Sequence, residues 1–266
     1  MREKLLQRVE SIPPLPESVQ EVERLYRNID STLDEMQVAI EKDPLLAANI
    51  LRLVNSPLYE LETKVTSLKR AILLLGKAAI RTFALSSSID ANFEIDLSPY
   101  NLTPQQFQRR CEFQMALAIG WLQENSTKSA SLLITAAFMA DVGRLVLAQV
   151  ALEDNQEEAL RKALENTKEV SKAEKDVCGA SAHEITAALF RSWELDEALI
   201  RILESSEEPQ NAPQQLAELT AQLKAIRQTM ELDGSISEAS LAGAKATIEE
   251  FGLNLEAYES ALDKLS

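Results

Sequence analysis

The positions of apolar residues along the chain predict helices almost throughout. In residues 17–28, apolar side chains recur at the spacing that places them on one helix face, typical of an amphipathic helix packed on a core. Alternation of apolar and polar residues, typical of strands, never extends beyond a few positions. We predict an all-α fold with helices at residues 2–10, 17–28, 33–42, 44–55, 68–75, 78–92, 104–124, 130–150, 155–167, 169–177, 182–193, 196–205, 213–230, 237–250 and 255–264.

Capping signals mark several of the predicted helix starts. Thr32–Glu35, Thr103–Gln106 and Ser181–Glu184 fit the capping box, in which a hydroxyl and a carboxylate or amide each accept a hydrogen bond from a backbone N–H. Asp43 precedes a proline at a first helical position, where proline is favoured. Gly76 is placed to end a helix.

One mid-chain segment predicts a division into two helical bundles. Residues Ile95–Leu102 contain a proline and show no helical period, which indicates a linker. We expect an N-terminal bundle, residues 1–102, packed on a C-terminal bundle, residues 103–266. A second break falls at Pro209–Pro213, so residues 209–266 are either part of the core or an added helical segment.

Composition and charge narrow the function. The chain has 266 residues, 27 basic and 42 acidic, and a formal net charge of −15. Residues 1–150 have a net charge of −2 and residues 151–266 a net charge of −13, so the C-terminal half would repel a phosphate backbone and no nucleic acid partner is expected. The single histidine excludes most catalytic transition-metal sites, which draw on imidazole ligands.

The chain shows no sign of export or membrane insertion. Its N-terminus is charged and lacks the apolar core of a signal peptide. The longest apolar stretch, residues 129–151, contains Asp141 and Arg144, so it does not form an uninterrupted apolar span. Two cysteines, Cys111 and Cys178, are too few for a disulfide framework. We predict a cytoplasmic protein with no membrane partner.

Three segments together resemble a known family. They are Ile12–Pro16, Ile40–Pro57 and Lys64–Gly76. Their order and spacing resemble the HDOD family, the HD-related output domain of bacterial signalling proteins, over roughly residues 11–208. The resemblance implies an all-α fold in which the C-terminal bundle is related to the HD phosphohydrolases.

The resemblance also implies a degenerate metal site. HD hydrolases bind divalent metals through histidines and a His-Asp pair, and the metals activate water. The positions that would correspond to these ligands are Ala140, Asp141, Phe113 or Gln114, Ser205 and Ser206. Apart from Asp141, none of the residues at these positions can replace an imidazole as a metal ligand. We therefore predict no catalytic residues, no bound metal and no cofactor.

The only histidine does not restore the site. His183 occupies a position where relatives often carry a histidine followed four residues later by glycine, but that later residue here is Ala187. One imidazole does not build a metal centre. His183 has two alternative interpretations. It is either a leftover metal ligand or pH-sensitive contact, or a histidine that forms a local hydrogen bond at a helix N-terminus. We favour the local hydrogen bond.

A basic stretch is the best candidate for an interaction surface. Between Thr63 and Ile89 the chain has no acidic residue and five basic ones: Lys64, Lys69, Arg70, Lys77 and Arg81. Such a stretch could bind an acidic partner or a nucleotide phosphate. The alternative is a solvated face beside an apolar one.

These observations predict a non-enzymatic regulatory protein of bacterial signal transduction. It would act as an interaction module for other signalling or regulatory proteins. Two alternatives stay open: a nucleotide-sensing module that uses residues 64–81, and a divalent-metal phosphohydrolase that binds Mg²⁺ through carboxylates. The sequence leaves the partner and the oligomeric state open.

Overall fold

The computed structural model describes residues 1–55, 63–92, 95–122, 128–167 and 169–265, and these residues contain no β-strand. The all-α prediction is confirmed. The helices are α1 Arg2–Ser11, α2 Glu17–Arg27, α3 Leu33–Glu41, α4 Pro44–Val54, α5 Leu68–Asn92, α6 Pro104–Trp121, α7 Lys128–Met139, α8 Gly143–Glu153, α9 Glu157–Glu165, α10 Val170–Cys178, α11 Ala182–Ser192, α12 Glu197–Glu204, α13 Ala217–Gln228, α14 Glu238–Glu250 and α15 Leu255–Asp263. The end of the predicted helix 104–124 and the last two residues of the Ile40–Pro57 motif lie outside the described residues.

The chain divides into two compact units. The minor unit is Pro13–Phe93, and the major unit combines Met1–Ile12 with Glu94–Ser266. Helix α1 belongs to the major unit because it packs on α8 and α11. The division therefore differs from the boundary predicted at residue 102.

The segment predicted as a linker is part of the major unit. A 3₁₀ turn at Ser98–Tyr100 packs on α8 and α9. Tyr100 is buried, and its hydroxyl donates a hydrogen bond to Glu174 Oε1 at 3.2 Å. A buried side chain with a specific partner fixes this segment, although its sequence is typical of a linker.

The minor unit is built around α5. Helices α2, α3 and α4 pack on it, and the apolar face of α2 is buried as the amphipathic pattern predicts. Gly76 interrupts α5 with φ 76° and ψ 161°, a backbone region that glycine alone occupies readily. The helix resumes at once after Gly76, so this glycine makes a kink.

The predicted capping signals form. Thr32 with Glu35 and Thr103 with Gln106 make reciprocal capping boxes at the starts of α3 and α6. Asp43 accepts hydrogen bonds from two backbone N–H groups at the start of α4. These caps set the helix starts from local sequence alone.

The predicted helix 130–150 is two helices in the structure, α7 and α8. The turn at Ala140–Val142 separates them, and Gly143 N donates to Thr186 Oγ1 at 2.8 Å. A Cβ atom at Gly143 would lie 2.0 Å from the carbonyl oxygen of Ala182, so α8 approaches α11 this closely only with glycine here. The turn places Asp141 at the centre of the major unit.

Residues 209–266 belong to the core of the major unit. Helix α13 packs on α6, α7 and α12, and α15 packs on α6. Trp121 meets Tyr258 edge-to-face with ring centroids 5.1 Å apart, and Trp121 Nε1 donates to Asn254 O at 2.9 Å. The C-terminal helices are therefore integral to this unit.

Two stretches of the described chain are long and apolar enough, by length and composition, to cross a membrane. They are Leu68–Ser88 and Ser129–Glu153. The second is 94% buried inside the structure, and it contains the ion-paired Asp141 and Arg144. The first contains the buried Arg81. These properties are those of core helices in a folded domain.

Candidate functional site

Asp141 lies at the position that the resemblance assigns to a metal ligand. It occupies the turn between α7 and α8 and is fully buried. Thr186 on α11 holds this turn, because its hydroxyl donates to Ala140 O at 3.0 Å and accepts from Gly143 N. The carboxylate is thereby fixed at the junction of α6, α8 and α13.

Three guanidinium groups converge on this carboxylate. Arg110 Nε on α6 donates to Asp141 Oδ2 at 2.8 Å, and Arg144 Nη1 on α8 lies 3.0 Å from the same oxygen. Arg227 Nη2 on α13 lies 3.5 Å from Oδ1. Gln114 Nε2 also donates to Oδ2, at 3.1 Å. The positive charge around Asp141 is supplied by side chains of the protein itself.

Two further carboxylates balance the guanidinium groups. Glu174 is fully buried; it accepts from Arg144 Nε at 3.2 Å and from Ala182 N at 2.7 Å. Glu207 accepts from Arg227 Nη1 at 2.8 Å and from Ser171 Oγ at 2.8 Å. The arginine–carboxylate cluster therefore pairs three cations with three anions: Arg110, Arg144, Arg227, Asp141, Glu174 and Glu207.

Burial and charge shift the pKa values of these groups in different directions. Burial alone would raise the pKa of Asp141, but Arg144, Arg110 and Arg227 outweigh it and hold that pKa well below its usual range. Burial raises the pKa of Glu174 despite the opposing charge of Arg144. For Glu207, burial alone would raise the pKa, but Arg227, His183 and the hydrogen bond from Ser171 together outweigh burial and lower the pKa to about 2.

His183 lies beside the cluster and is buried. Its Nε2 is 3.1 Å from Ser181 Oγ, and its Nδ1 is 3.6 Å from Glu207 Oε1. Burial, with the charge of Arg227, lowers the pKa of His183 to about 4. The imidazole is therefore neutral at physiological pH and is anchored by a local hydrogen bond at the start of α11.

Some of the other positions that the resemblance assigns to metal ligands lie near Asp141. Gln114 is buried and contacts Asp141, and Ser206 is buried and accepts from Arg227 Nη1 at 3.3 Å. Ala140 is buried and contributes only its carbonyl. Phe113 is half-buried on α6, and Ser205 ends α12. The structure thus brings three of the six positions together: Gln114, Asp141 and Ser206.

A divalent metal does not fit this site. Among the residues that the structure describes, no group of three or more His, Cys, Asp or Glu side chains is arranged to hold a metal ion. The one carboxylate at the expected position already faces three guanidinium groups, and a further double positive charge there would be strongly repelled. The donor set is that of a buried ion network.

A cavity of about 1200 Å³ opens beside the cluster within the major unit. Its walls come from the region of α9 and α10, from α13 and from the start of α14. Arg110, Arg144 and Arg227 all line it. The cluster therefore has a face toward a space large enough for a small molecule.

The basic stretch of the minor unit does not form one outward patch. Arg81 is buried at 1% exposure; its Nη2 donates to Glu23 Oε1 at 3.0 Å, and its guanidinium lies over the Tyr26 ring. Lys77 donates to the backbone carbonyl and the hydroxyl of Ser31. The expectation that these two side chains face a partner is corrected: they hold the fold.

Three of the five basic residues remain exposed. They are Lys64, Lys69 and Arg70. Lys69 forms a solvent-exposed ion pair with Asp34, and Arg70 donates weakly to Thr63 Oγ1 at 3.4 Å. The basic surface that this stretch offers to a partner therefore lies at the N-terminal end of α5 and at the residues just before it.

The sequence patterns do not predict the cluster's other charged members. They are Arg110, Arg144, Glu174, Glu207 and Arg227. One signal was present: Asp141 and Arg144 lie three residues apart inside the most apolar stretch of the chain, where charges persist only when they are paired. Nothing in the local sequence points to Arg227, which lies 86 residues after Asp141.

Solved structures of bacterial proteins share this fold. A virulence factor from Campylobacter jejuni is 26% identical with a TM-score of 0.60, and the match covers 100% of this chain and 97% of that one. A protein from Marinobacter aquaeolei, provisionally named for signal transduction, is 20% identical with a TM-score of 0.71, covering 99% and 61%. A protein from Shewanella amazonensis, provisionally named a phosphohydrolase, is 21% identical with a TM-score of 0.69, covering 97% and 92%.

One family model matches most of the chain. No curated protein matches the chain significantly. The family model of the HDOD domain matches residues 12–209, about three quarters of the chain, and this range contains Asp141, Arg110 and Arg144. The chain belongs to the HDOD family.

Proposed function

We propose that this protein is a non-enzymatic regulatory module of bacterial signal transduction that acts in the cytoplasm by binding other signalling or regulatory proteins. The observation that carries the proposal is the contact of Asp141 with three guanidinium groups. HD-type hydrolysis needs a divalent metal to activate water and to stabilise the charge that develops on phosphate. At the corresponding place this chain has a charge-balanced ion network.

The family and the relatives support a signalling role at a coarser level. Membership of the HDOD family and the fold shared with the Marinobacter aquaeolei protein are consistent with it. The alternative, a divalent-metal phosphohydrolase, draws on the name of the Shewanella amazonensis protein. The two functions differ in two measurable properties, the metal content of the purified protein and metal-dependent hydrolysis of a phosphodiester.

The test is metal analysis combined with a phosphodiesterase assay. We expect substoichiometric Mn, Fe, Ni and Mg after purification, and no hydrolysis of bis(p-nitrophenyl) phosphate when each metal is added. Asp141→Asn is the matched variant, with circular dichroism as the control for folding. Stoichiometric metal in the wild type that is lost in Asp141→Asn, or metal-dependent hydrolysis, would refute the proposal.

We further propose that the exposed basic residues Lys69 and Arg70 contribute to partner binding. Lysine and arginine at an exposed surface speed association with an acidic partner, and this effect weakens with salt. The double variant Lys69→Glu, Arg70→Glu should retain its melting temperature and lose partner capture from native cytoplasm, most clearly at low salt. Equal capture by both proteins at every salt concentration would show that these residues form only a solvated face.

The nucleotide-sensing alternative at residues 64–81 loses two of its five proposed contacts. Lys77 and Arg81 are engaged inside the minor unit. The three basic residues that remain lie at an exposed surface. We therefore propose that the exposed residues of this segment bind a protein partner and not a nucleotide.

A further inference from the structure

The exposed and the buried side chains that line the cavity of the major unit differ in charge. The exposed residues that line it are of mixed sign, with acidic Glu165, Glu169, Asp176, Glu208 and Glu231 beside basic Lys172 and Lys175. The buried charged side chains that line it are guanidinium groups, those of Arg110, Arg144 and Arg227. A ligand that passes the exposed side chains therefore meets buried cationic groups.

Two of these guanidinium groups have a nitrogen that forms no hydrogen bond. Arg144 Nη1 and Arg227 Nε are buried and have no hydrogen-bond acceptor, although Arg144 Nη1 lies within ion-pair distance of Asp141. Both side chains are more than nine-tenths buried. By contrast, each nitrogen of Arg110 has an acceptor: Asp141, Met230 O, Glu231 O or Arg227 O. Buried donors without acceptors cost free energy, and an anion would supply the missing acceptors.

Among the three carboxylates of the cluster, one can be replaced from the cavity. Asp141 and Glu174 have side chains that are 0% exposed, whereas the Glu207 side chain is 39% exposed and lines the cavity. Glu207 lies in the connection after α12, so its movement does not require a helix to unfold. An incoming anion competes with Glu207 for Arg227.

We propose that this cavity binds the phosphate group of a small phosphorylated molecule, and that the phosphate takes the place of Glu207 on Arg227. A guanidinium group donates in parallel to two oxygens of a phosphate, which makes arginine the usual residue for this anion. Lys224, three residues before Arg227 on α13, lines the same cavity and adds a second cation on that face. The volume of about 1200 Å³ accommodates a ligand of nucleotide size.

Binding would also change a contact between elements of the fold. Glu207 accepts from Ser171 Oγ on α10 at 2.8 Å, so it joins α10 to the connection after α12. When phosphate displaces Glu207, this link opens. The cavity thus offers a way for a bound ligand to alter the surface around α10, and binding here requires no hydrolysis.

Isothermal titration calorimetry at constant ionic strength tests the proposal, with inorganic phosphate and AMP as separate probes. Glu207→Gln removes the competing charge and should bind the probe about tenfold more tightly than wild type. Lys224→Gln and Arg227→Gln should each bind about tenfold more weakly. Lys224 is half-buried at the cavity wall, so its variant remains informative if Arg227→Gln does not fold.

Matched variants on the exposed part of α12 and its C-terminal end control for net charge. Arg201→Gln and Glu204→Gln make the same changes of charge in a surface ion pair, and both should bind as wild type does. Equal affinity for both probes would show that the phosphate group alone is sufficient for binding. Tighter binding of AMP would show that the site also recognises the nucleoside. Both results support the site. Absence of binding by wild type and by Glu207→Gln, or a loss in Arg201→Gln equal to that in Lys224→Gln, would overturn the proposal.

Discussion

At the scale of single residues, the fold of the major unit depends on how Asp141 is paired. This carboxylate is completely buried, and its charge is balanced by guanidinium groups from three helices. Complete buried ion networks are often close to neutral in net stability, but removal of one member leaves the others unpaired in a medium of low dielectric constant. The complete network therefore contributes little to the free energy of unfolding, whereas loss of any one member lowers that free energy strongly.

Asp141→Asn should therefore destabilise the protein by about 3–5 kcal/mol, because it leaves uncompensated buried arginines. Asp34→Asn is the matched control, since Asp34 pairs with Lys69 at the surface and should cost only about 0–1 kcal/mol. Urea denaturation of the three proteins measures both changes. Similar midpoints for the two variants would contradict the proposed role of the network.

His183 gives a second prediction, concerning pH. Its pKa is lowered from 6.5 to about 4 by burial and by Arg227, against opposing contributions from Glu207 and Glu184. The unfolded chain therefore binds a proton at His183 more readily than the folded protein does. The contribution of His183 to the free energy of unfolding is complete above pH 6.5 and is lost as the pH falls from 6.5 through about 4. Within this window the wild type should lose up to about 1.4 kcal/mol per pH unit more than His183→Gln.

The measurement is urea denaturation of both proteins between pH 7 and pH 4. Because the chain has one histidine, proton NMR of its imidazole gives the folded pKa directly. A titration midpoint near 6.5 would show that the ring is exposed, and it would contradict the structure.

Two arginines of α5 make a matched pair. Arg81 is buried against Glu23 and Tyr26, whereas Arg70 lies exposed eleven residues earlier in the same helix. Arg81→Gln should cost about 3–5 kcal/mol because it leaves a buried glutamate with one partner fewer, and Arg70→Gln should change stability by no more than about 0.5 kcal/mol. Thermal denaturation separates them, and equal melting temperatures would disprove the structural role of Arg81.

At the scale of helices, the close approach of α8 and α11 depends on a single glycine. A Cβ at residue 143 would lie 2.0 Å from Ala182 O, a backbone atom that cannot move without its helix. This contact positions the turn that carries Asp141. The distance between α8 and α11 therefore determines where Asp141 lies relative to the arginines of the cluster.

Gly143→Ala should destabilise the protein by about 1–3 kcal/mol or more, because α8 and α11 must separate. Gly243 in α14 is the opposite case: a Cβ there meets nothing within 4 Å. Gly243→Ala should raise stability by about 0.5–1 kcal/mol through the lower backbone entropy of the unfolded chain. Guanidinium denaturation of both variants tests the opposite signs, and a shift of the same sign for both would contradict the packing described here.

The helices, their caps and the family could be predicted from sequence because each depends on local periodicity or short motifs. Thr32 with Glu35, and Asp43 before a proline, set helix starts without any distant contact. The cluster could not be predicted, because Arg110 and Arg227 come from separate helices and Asp141 from a turn, and only tertiary packing brings them together. For the same reason the split of helix 130–150 cannot be predicted from local sequence, since Thr186 on α11 stabilises the turn.

At the scale of the whole molecule, charge is divided unequally between the two units. The minor unit has 9 basic and 11 acidic residues, and the major unit has 18 basic and 31 acidic residues. Since the cluster is itself neutral, the excess of 13 negative charges in the major unit lies outside it. Arg227, which the cluster requires, lies beyond the residues 12–209 matched by the family model, so the C-terminal helices complete the site.

Such an excess of like charge repels itself and opposes the compact state. Raising NaCl from 50 to 500 mM shortens the Debye length from about 14 Å to about 4 Å and should raise the melting temperature. Differential scanning calorimetry at the two concentrations checks this. A lower melting temperature at high salt would show instead that attractive surface ion pairs dominate.

The contact of Trp121 with Tyr258 has an optical consequence. Trp121 on α6 is covered by α15, whereas the other tryptophan, Trp193, stacks on Phe190 at the end of α11. Undocking of α15 would move the Trp121 indole from an apolar to an aqueous environment and shift its fluorescence emission to longer wavelength, while Trp193 stays in place. In a Trp193→Phe background, the emission of Trp121 reports on the C-terminal helix alone.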